Sequence, residues 1–148
     1  MDKVFFILVL IITFVFMEFM AWFSHKYIMH GPLWVLHRDH HKKDHNSWFE
    51  RNDLFFIFYA VVSFLNVYLW GEHAFWAGLP IGIGIFIYGL SYFIVHDIFI
   101  HQRFKIFRNS KNKYAKGLRR AHKIHHKNIN KDGGENFGML WVPLKYFK

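Results

Sequence analysis

The chain has 148 residues, of which 53% are hydrophobic and 22% aromatic, and its formal net charge is +9 at pH 7. So apolar a chain does not remain solvated without folding, which excludes an intrinsically disordered protein. Cysteine is absent, which excludes disulfides, thiolate-held iron–sulfur clusters and cysteine nucleophiles. The twelve histidines are the largest anomaly of composition. They are therefore the first candidates for a functional site.

Three long apolar stretches occupy residues 4–23, 54–70 and 74–95. About twenty helical residues cross the hydrocarbon core of a bilayer, and the first stretch is too long, and lacks the A-x-A-like site, for a cleaved signal peptide. A buried soluble core is the alternative, but three such runs leave too little polar chain to cover them. We predict an all-α integral membrane protein with about three to four transmembrane helices in a single domain, residues 1–148. A re-entrant turn at Pro80 is the alternative for the third stretch.

The basic residues lie almost entirely on one side of the predicted membrane. With three crossings, residues 24–53 and 96–148 emerge on the same side, and together they hold eighteen of the nineteen Lys and Arg residues. Cytoplasmic loops of membrane proteins carry such an excess. We therefore expect both segments, which also hold most of the histidines, to form a histidine-rich cap on the cytoplasmic side.

These two segments repeat one histidine pattern. The first contains HKYIMH at 25–30 and HRDHH at 37–41, and the second contains HDIFIH at 96–101 and HKIHH at 122–126. Each is an H-x4-H followed by an H-x2-H-H, and together they hold ten of the twelve histidines. Such repetition is rare by chance, so the pattern indicates a metal site.

The spacing within the motifs predicts which imidazoles lie on the same face of a helix. Positions i, i+3 and i+4 share one face of an α-helix, so His37, His40 and His41 are predicted to converge, as are the three histidines of HKIHH. Five residues rotate the chain by about 140°. His25 and His30 therefore serve two metals, unless a bulge or a helix end brings them together.

Ten histidines are too many for one ion, so we predict two metal ions in a shared cage. Neutral imidazole suits zinc, copper, iron and nickel, and a structural zinc takes four ligands. His45 and His73 lie outside the repeat and are expected to be ordinary polar residues. The predicted ligands are His25, His30, His37, His40, His41, His96, His101, His122, His125 and His126.

An all-imidazole site leaves the metal charge uncompensated, so carboxylates near the ligands are expected to orient the rings. The candidates are Glu18, Asp39, Asp53 and Asp97. Glu18 lies inside a predicted span, where an ionisable side chain is a functional candidate by default. Pairing near the cytoplasmic end of the span is the alternative for this residue.

The motifs resemble those of the membrane-bound histidine-motif hydroxylases of the fatty acid hydroxylase superfamily, and within it the bacterial β-carotene hydroxylases. The resemblance covers nearly the whole chain. The similar segments are HKYIMHG at 25–31, HRDHH at 37–41, E-x-N-D-L at 50–54, YGLSYFIVHDIFIHQR at 88–103 and AHKIHH at 121–126, with Phe137, Gly138, Leu140 and Pro143 in the tail. The histidine motifs alone are shared with desaturases and with sterol or fatty acid hydroxylases, whereas the HDIFIHQR context and the compact length favour carotenoids. The resemblance departs at the C terminus, because the chain stops at Lys148 and family members often continue.

The resemblance implies a non-haem di-iron monooxygenase that uses O2 to hydroxylate carbon 3 of each β-ionone ring, converting β-carotene through β-cryptoxanthin to zeaxanthin. It implies a multi-pass protein of the cell inner membrane, electrons from a ferredoxin-type or NADPH-linked reductase, and no catalytic residues beyond the metal ligands. One alternative is a fatty acid or sterol hydroxylase or desaturase of the same superfamily. Another is a non-catalytic membrane metal-binding protein, although a transporter would place its ligands within the spans.

Between Arg103 and Lys131 the chain carries eleven Lys or Arg residues and no acid. No nucleic-acid fold signature accompanies them, so we expect no nucleic-acid partner, and anionic membrane lipid attracts such juxtamembrane clusters. Complementary charge also speeds the encounter of protein partners. The residues predicted to dock an acidic electron-transfer protein are Lys111, Lys113, Lys116, Arg119 and Arg120.

Overall fold

The computed structural model describes residues 2–107, 109–130 and 132–148. Two of its helical segments are π-helices, π1 and π2, which continue α1 and α4 without a break. The elements in chain order are α1 (Lys3–Phe23), π1 (Ser24–Met29), α2 (Trp34–His41), α3 (Asp53–His73), α4 (Gly78–Tyr92), π2 (Phe93–Ile100), α5 (Lys113–Lys127) and a 3-10 helix (Leu144–Phe147).

Three helical rods are long and apolar enough to cross a bilayer: Lys3–Met29, Asp53–His73 and Gly78–Ile100. The described residues contain helices and loops and no strand, which confirms the predicted all-helical membrane fold. Large apolar side chains such as Ile12 on α1 and Phe64 on α3 are exposed on the outside of the rods. Such side chains are stable there when lipid covers them.

The third rod begins at Gly78, whereas the apolar stretch in the sequence begins at Ala74. Ala74 ends α3 in the left-handed conformation, with φ at 51°. Pro80 lies in the first turn of α4, where its missing N–H removes no helical hydrogen bond. The helix therefore continues through Pro80 to His96 and beyond, with no re-entrant turn.

Helix α4 packs against both α1 and α3, and glycines at its contact faces permit the close approach. A Cβ atom at Gly82 would lie 2.8 Å from the Ser63 carbonyl oxygen of α3, and one at Gly84 would lie 2.8 Å from Cβ of Thr13 on α1. The Ser63 hydroxyl donates to the Gly82 carbonyl oxygen over 2.7 Å. Small residues at membrane helix interfaces let backbones approach in this way.

The C-terminal tail, residues 132–148, packs against α5 and completes the cap. Leu118 and Ala121 of α5 form a buried cluster with Val142 and Tyr146 of the tail. Because α5 carries the HKIHH motif, this packing fixes the second set of histidines next to the first.

Candidate metal centre

The structure brings nine of the ten predicted ligands into two groups. Within each group the candidate ligand atoms all lie within 4.8 Å of one another. The first group is His25, His30, His37, His41 and His125. The second group is His40, His101, His122 and His126.

In each H-x2-H-H motif the first and third histidines belong to one group, and the second histidine belongs to the other group. His37 and His41 enter the first group while His40 enters the second, and His125 likewise separates from the other two histidines of HKIHH. Residues i+3 and i+4 point about 100° apart around a helix axis. A helix that lies between two sites therefore serves both, and each triplet divides between the groups instead of converging on one.

The H-x4-H pairs meet because the chain between them is π-helical. The His30 N–H donates to the His25 carbonyl oxygen over 3.0 Å, and the His101 N–H donates to the His96 carbonyl oxygen over 2.8 Å. These i to i−5 bonds define the wider turn of a π-helix, which is frequent at functional sites. The ring centroids are consequently only 5.0 Å apart in the first pair and 4.5 Å apart in the second.

His96 lies beside the second group and outside it. It is buried, and its ring centroid is 4.7 Å from that of His40 and 4.9 Å from that of His122. Its Nδ1 lies 3.2 Å from a carboxylate oxygen of Asp97. His96 corresponds to His25 in the repeated pattern, but its role as the tenth ligand stays a prediction.

Hydrogen bonds at Nδ1 fix the tautomer of four rings in the first group. Each of these Nδ1 atoms faces an oxygen that can only accept, so it carries the hydrogen and leaves a lone pair on Nε2. The bonds run from His25 to Phe137 O (2.9 Å), from His30 to Ile129 O (2.8 Å), from His37 to Asn52 Oδ1 (2.7 Å) and from His125 to Glu135 O (3.0 Å).

The free Nε2 atoms of these rings face one another. Nε2 of His25 lies 3.0 Å from Nε2 of His37, and Nε2 of His30 lies 3.2 Å from Nε2 of His125. Two lone pairs repel and form no hydrogen bond, so these contacts are unfavourable unless a cation lies between them. Two nitrogens that bind one ion at about 2.1 Å, close to a right angle, lie about 3 Å apart. The donor set therefore fits a metal ion.

In the second group, as in the first, Nε2 atoms lie close to one another. Nε2 of His122 lies 2.8 Å from Nε2 of His101 and 2.9 Å from Nε2 of His126. His40 donates from Nδ1 to the Glu50 carboxylate over 2.9 Å. Its buried Nε2 has no hydrogen-bond partner among the described residues. A buried acceptor of this kind, next to three other imidazoles, fits a second ion.

Burial keeps these imidazoles neutral. Desolvation, with a smaller contribution from neighbouring imidazoles, lowers the pKa of His37, His101 and His125 to about 3. Desolvation also lowers the pKa of His126 to about 4, with His30 as the second cause. Near pH 7 the rings are in the neutral form that binds metal.

Arg103 joins three carboxylates behind the second group. Its guanidinium lies 3.1 Å from Glu50, 2.8 Å from Asp53 and 3.0 Å from Asp97. Three carboxylates against one guanidinium leave a net negative charge, which offsets the charge of a cation held by His40 and its neighbours. Two predicted carboxylates, Asp53 and Asp97, thus lie at the site, and Arg103 links them to Glu50.

Glu50 and Asn52 are the ring-orienting residues that the histidine spacing did not reveal, although both belong to the E-x-N-D-L segment. Asp39 was predicted to orient a ligand, but it accepts from the Arg51 N–H over 2.7 Å. Its other near neighbour is His45, with Nε2 at 3.4 Å. Asp39 therefore organises the loop after α2, and the hydrogen bond and ion pair of its carboxylate among the described residues go to Arg51 and His45 and not to a grouped histidine.

Glu18 acts on the tail and not on a ligand ring. Its carboxylate accepts hydrogen bonds from the N–H groups of Met139 (2.8 Å), Leu140 (2.9 Å) and Trp141 (3.0 Å) and from the Tyr88 hydroxyl (2.7 Å). This tail supplies the carbonyl groups that orient two rings of the first group. The ionisable residue within the first span is therefore a tail anchor. His73, at the far end of α3, lies outside both groups.

An apolar cavity adjoins the first group from the membrane side. His25 lines it together with Met17, Tyr59, Ile85 and Tyr88, which come from α1, α3 and α4. The cavity, which Asp53 and Asp97 also line, therefore connects the interior of the helix bundle with a histidine of the first group.

Comparison with known proteins gives a family and several relatives. The family model for fatty acid hydroxylases matches residues 10–145. A β-carotene hydroxylase from Pantoea ananas is 40% identical over 136 residues, which cover 92% of this chain and 77% of the relative. A β-carotene hydroxylase from a Paracoccus species is 35% identical over 140 residues, covering 92% of this chain and 83% of the relative. A chloroplastic β-carotene 3-hydroxylase from Haematococcus lacustris is 38% identical over 136 residues, covering 86% of this chain and 40% of the relative. No solved structure matches the chain.

Proposed function

The chain belongs to the fatty acid hydroxylase family, and we propose that it is a carotenoid 3-hydroxylase. It would hydroxylate carbon 3 of each β-ionone ring and convert β-carotene through β-cryptoxanthin to zeaxanthin. The observation that carries the proposal is the contact between an apolar cavity within the membrane helices and a group of neutral histidines that begins with His25. The names of the relatives, β-carotene hydroxylases from several organisms, support carotenoids as the substrate class.

We assign two iron ions to the two histidine groups, with His96 as the tenth ligand beside the second group. Iron supplies the redox chemistry by which O2 attacks an unactivated C–H bond, whereas zinc has none. Imidazole suits iron, and the neutral, buried rings fit it. The carboxylates around Arg103 would balance the positive charge of the ion in the second group, to which His40 belongs.

Residues of the chain would hold both the ligand rings and the end group of the substrate in place. Asn52, Glu50 and the backbone carbonyls of the tail hold the ligand rings in one orientation, which keeps Nε2 free. Tyr59, Ile85 and Tyr88 form apolar walls that would seat a cyclic hydrocarbon end group next to His25. The rest of a long polyene would stay between the helices and the lipid, where it dissolves.

The electrons come from outside the chain. Inserting one oxygen atom of O2 into a C–H bond and releasing the other as water consumes two electrons and two protons. We infer that a ferredoxin-type protein or an NADPH-linked reductase supplies the electrons and docks on the basic face of α5. Lys113 and Lys116 of α5 are exposed, as is Lys111 just before the helix, whereas Arg119 donates to the Phe99 carbonyl oxygen and is occupied within the protein.

The proposed location follows from the charge pattern. Both histidine segments lie on the side with most of the Lys and Arg residues, which is the cytoplasmic side of a bacterial inner membrane under the positive-inside rule. Electron carriers of the cytoplasm would reach the site directly from this side.

The test of the function is a pigment profile. The chain is expressed in a bacterium that accumulates β-carotene, beside His40→Ala and His73→Ala variants. We expect β-cryptoxanthin and zeaxanthin from the unaltered chain and from His73→Ala, and none from His40→Ala. Unchanged β-carotene in all three strains, with the protein present in the membrane, would refute the proposal and direct attention to fatty acid or sterol substrates.

A further inference from the structure

Two apolar cavities meet between α3 and α4. The inner cavity reaches His25 and Ser24 at the cytoplasmic ends of the helices. The outer cavity lies between Ala60 and Ser63 of α3 and Leu90 of α4. The residues that line both cavities are Phe56, Tyr59, Ile85 and Gly89.

The outer cavity opens toward the lipid. Phe86 and Leu90, which form its α4 side, are exposed on the outside of the helices. Its lining is apolar apart from the hydroxyls of Tyr59, which pairs with Ser24 over 2.7 Å, and Ser63, whose hydrogen bond goes to a backbone carbonyl. The opening therefore suits a hydrocarbon that arrives from within the bilayer.

Gly89 stands at the junction of the two cavities, and its missing side chain leaves free space. A Cβ atom at Gly89 would meet only the Phe56 ring, at an ordinary 3.7 Å. Gly82 and Gly84, on the same helix, differ, because a Cβ at either would press on a neighbouring helix within 3.0 Å. Close helix packing therefore accounts for Gly82 and Gly84 but not for Gly89.

We propose that the gap between Gly89 and Phe56 is the entrance through which the cyclic end group of a carotenoid passes from lipid to the histidine groups, and that Gly89 sets its width. This inference rests on the proposed function for the identity of the ligand. The occupant follows from the path itself, because the outer cavity is apolar and opens in the membrane, and the inner cavity, which Asp53 and Asp97 also line, ends at His25. A methyl group at Gly89 already reaches van der Waals contact with the Phe56 ring, at 3.7 Å, so a cyclic end group passes only when the Phe56 ring turns aside. A branched four-carbon side chain at Gly89 fills the space that remains.

The test measures pigment binding separately from turnover. Purified protein in lipid nanodiscs receives β-carotene without any electron donor. The pigment is achiral, so a circular dichroism signal at its visible absorption bands arises only from molecules held by the protein. The variants are Gly89→Ala, Gly89→Leu and a matched Gly71→Leu at the far end of α3, where nothing lies within 4 Å of the added Cβ.

We expect the full signal from the unaltered chain and Gly71→Leu, a weaker signal from Gly89→Ala, and about tenfold weaker binding by Gly89→Leu, because added methyl and methylene groups overfill a packed space. Iron content should be equal in all four proteins, which shows that the histidine groups remain assembled. Equal signals from Gly89→Leu and Gly71→Leu would overturn the entrance. So would the absence of a signal from an unaltered chain that forms zeaxanthin in cells. A signal that depends on Gly89 in a chain that forms no hydroxylated pigment would keep the entrance and refute only the proposed function.

Discussion

The Nε2 atoms of His25 and His37 lie 3.0 Å apart although neither carries a hydrogen to share. The Phe137 carbonyl oxygen and the Asn52 side-chain oxygen take the Nδ1 hydrogens of the two rings. Without a cation, the two lone pairs would repel within a buried space. This relationship between two rings, twelve residues apart in sequence, is the most direct structural indication of a metal ion in the first group.

Loss of one histidine should remove the ion of its own group. The purified unaltered chain is expected to hold about two iron ions, and His125→Ala or His40→Ala about one, because the groups use separate rings. His73→Ala is the matched control and should hold the full amount. Elemental analysis of the purified proteins measures this. Loss of both ions from either variant would show a single shared site in place of two groups.

The metal-free protein should lose stability in acid. The unfolded histidines take up a proton near pH 6.5, while folded His37, His101 and His125 do so only near pH 3. Between these values the unfolded state binds more protons, so stability is complete above about pH 6.5 and falls as the pH decreases. Each buried histidine contributes up to about 1.4 kcal/mol per pH unit.

Thermal unfolding in detergent at pH 7, 5.5 and 4 measures this effect. The melting temperature of the metal-free protein is expected to fall at each step, and the fall should be smaller in a His37→Asn variant, which lacks one such imidazole. A melting temperature that stays constant across the range would show that the rings are solvated or already charged.

Glu50→Gln should weaken metal binding in the second group. The change removes the carboxylate that orients His40 and part of the negative charge around Arg103, and loss of such partners costs about 10- to 100-fold in metal affinity or activity. Glu72→Gln, an exposed change at the far end of α3, is the control. Iron titration of the metal-free proteins compares them, and equal affinities would contradict the orienting role of Glu50.

Gly31→Ala should disturb the π-helical turn. A Cβ at Gly31 would collide with the Tyr27 carbonyl oxygen inside the turn that aligns His25 with His30. Gly71→Ala adds the same methyl group where nothing lies within 4 Å. We expect iron retained by the first group to fall by about tenfold in Gly31→Ala only. Full retention in both variants would show that the turn yields without moving the ligands.

Reversing the charge of Lys111, Lys113 and Lys116 to Glu should slow turnover with a reduced acidic electron carrier. Complementary charge raises encounter rates, so the effect should shrink as salt screens it. Iron content should not change, since these side chains are exposed at and just before the start of α5. Steady-state rates at low and high ionic strength measure the effect, and an unchanged rate at low salt would refute docking on this face.

Apolar length and histidine repetition were enough to predict the helical membrane fold and nine of the ten histidines as members of the two groups. The division of His37, His40 and His41 between two groups was not predictable, because it depends on where α2 lies relative to both sites. For His25 and His30 the sequence left two alternatives, separate metals or a bulge or helix end that brings the two rings together. It did not predict a π-helical turn. The i to i−5 hydrogen bonds of a π-helix form only when the tertiary packing around them favours the wider turn, and the spacing of the histidines does not specify that packing.

The ring-orienting partners were the least predictable part. Every residue has the same backbone carbonyl group, so the sequence did not indicate that the carbonyls of Phe137 and Glu135 contact His25 and His125. Glu18 was recognised from its place within a span, but its contact with the tail required the three-dimensional arrangement. A charge within a histidine motif, such as Asp39, is thus a weaker guide than the fold of the loop that brings Glu50, ten residues along the chain, to His40.

The most direct measurement is oxygen labelling with the purified, iron-loaded chain in nanodiscs that contain β-carotene. A ferredoxin and its reductase supply electrons under an atmosphere of oxygen-18, and mass spectrometry reads the product. The account predicts β-cryptoxanthin and zeaxanthin with oxygen-18 in every new hydroxyl group, and no product from His40→Ala or His125→Ala. Hydroxyl oxygen that comes from water, or no hydroxylated carotenoid from iron-loaded unaltered protein, would contradict it.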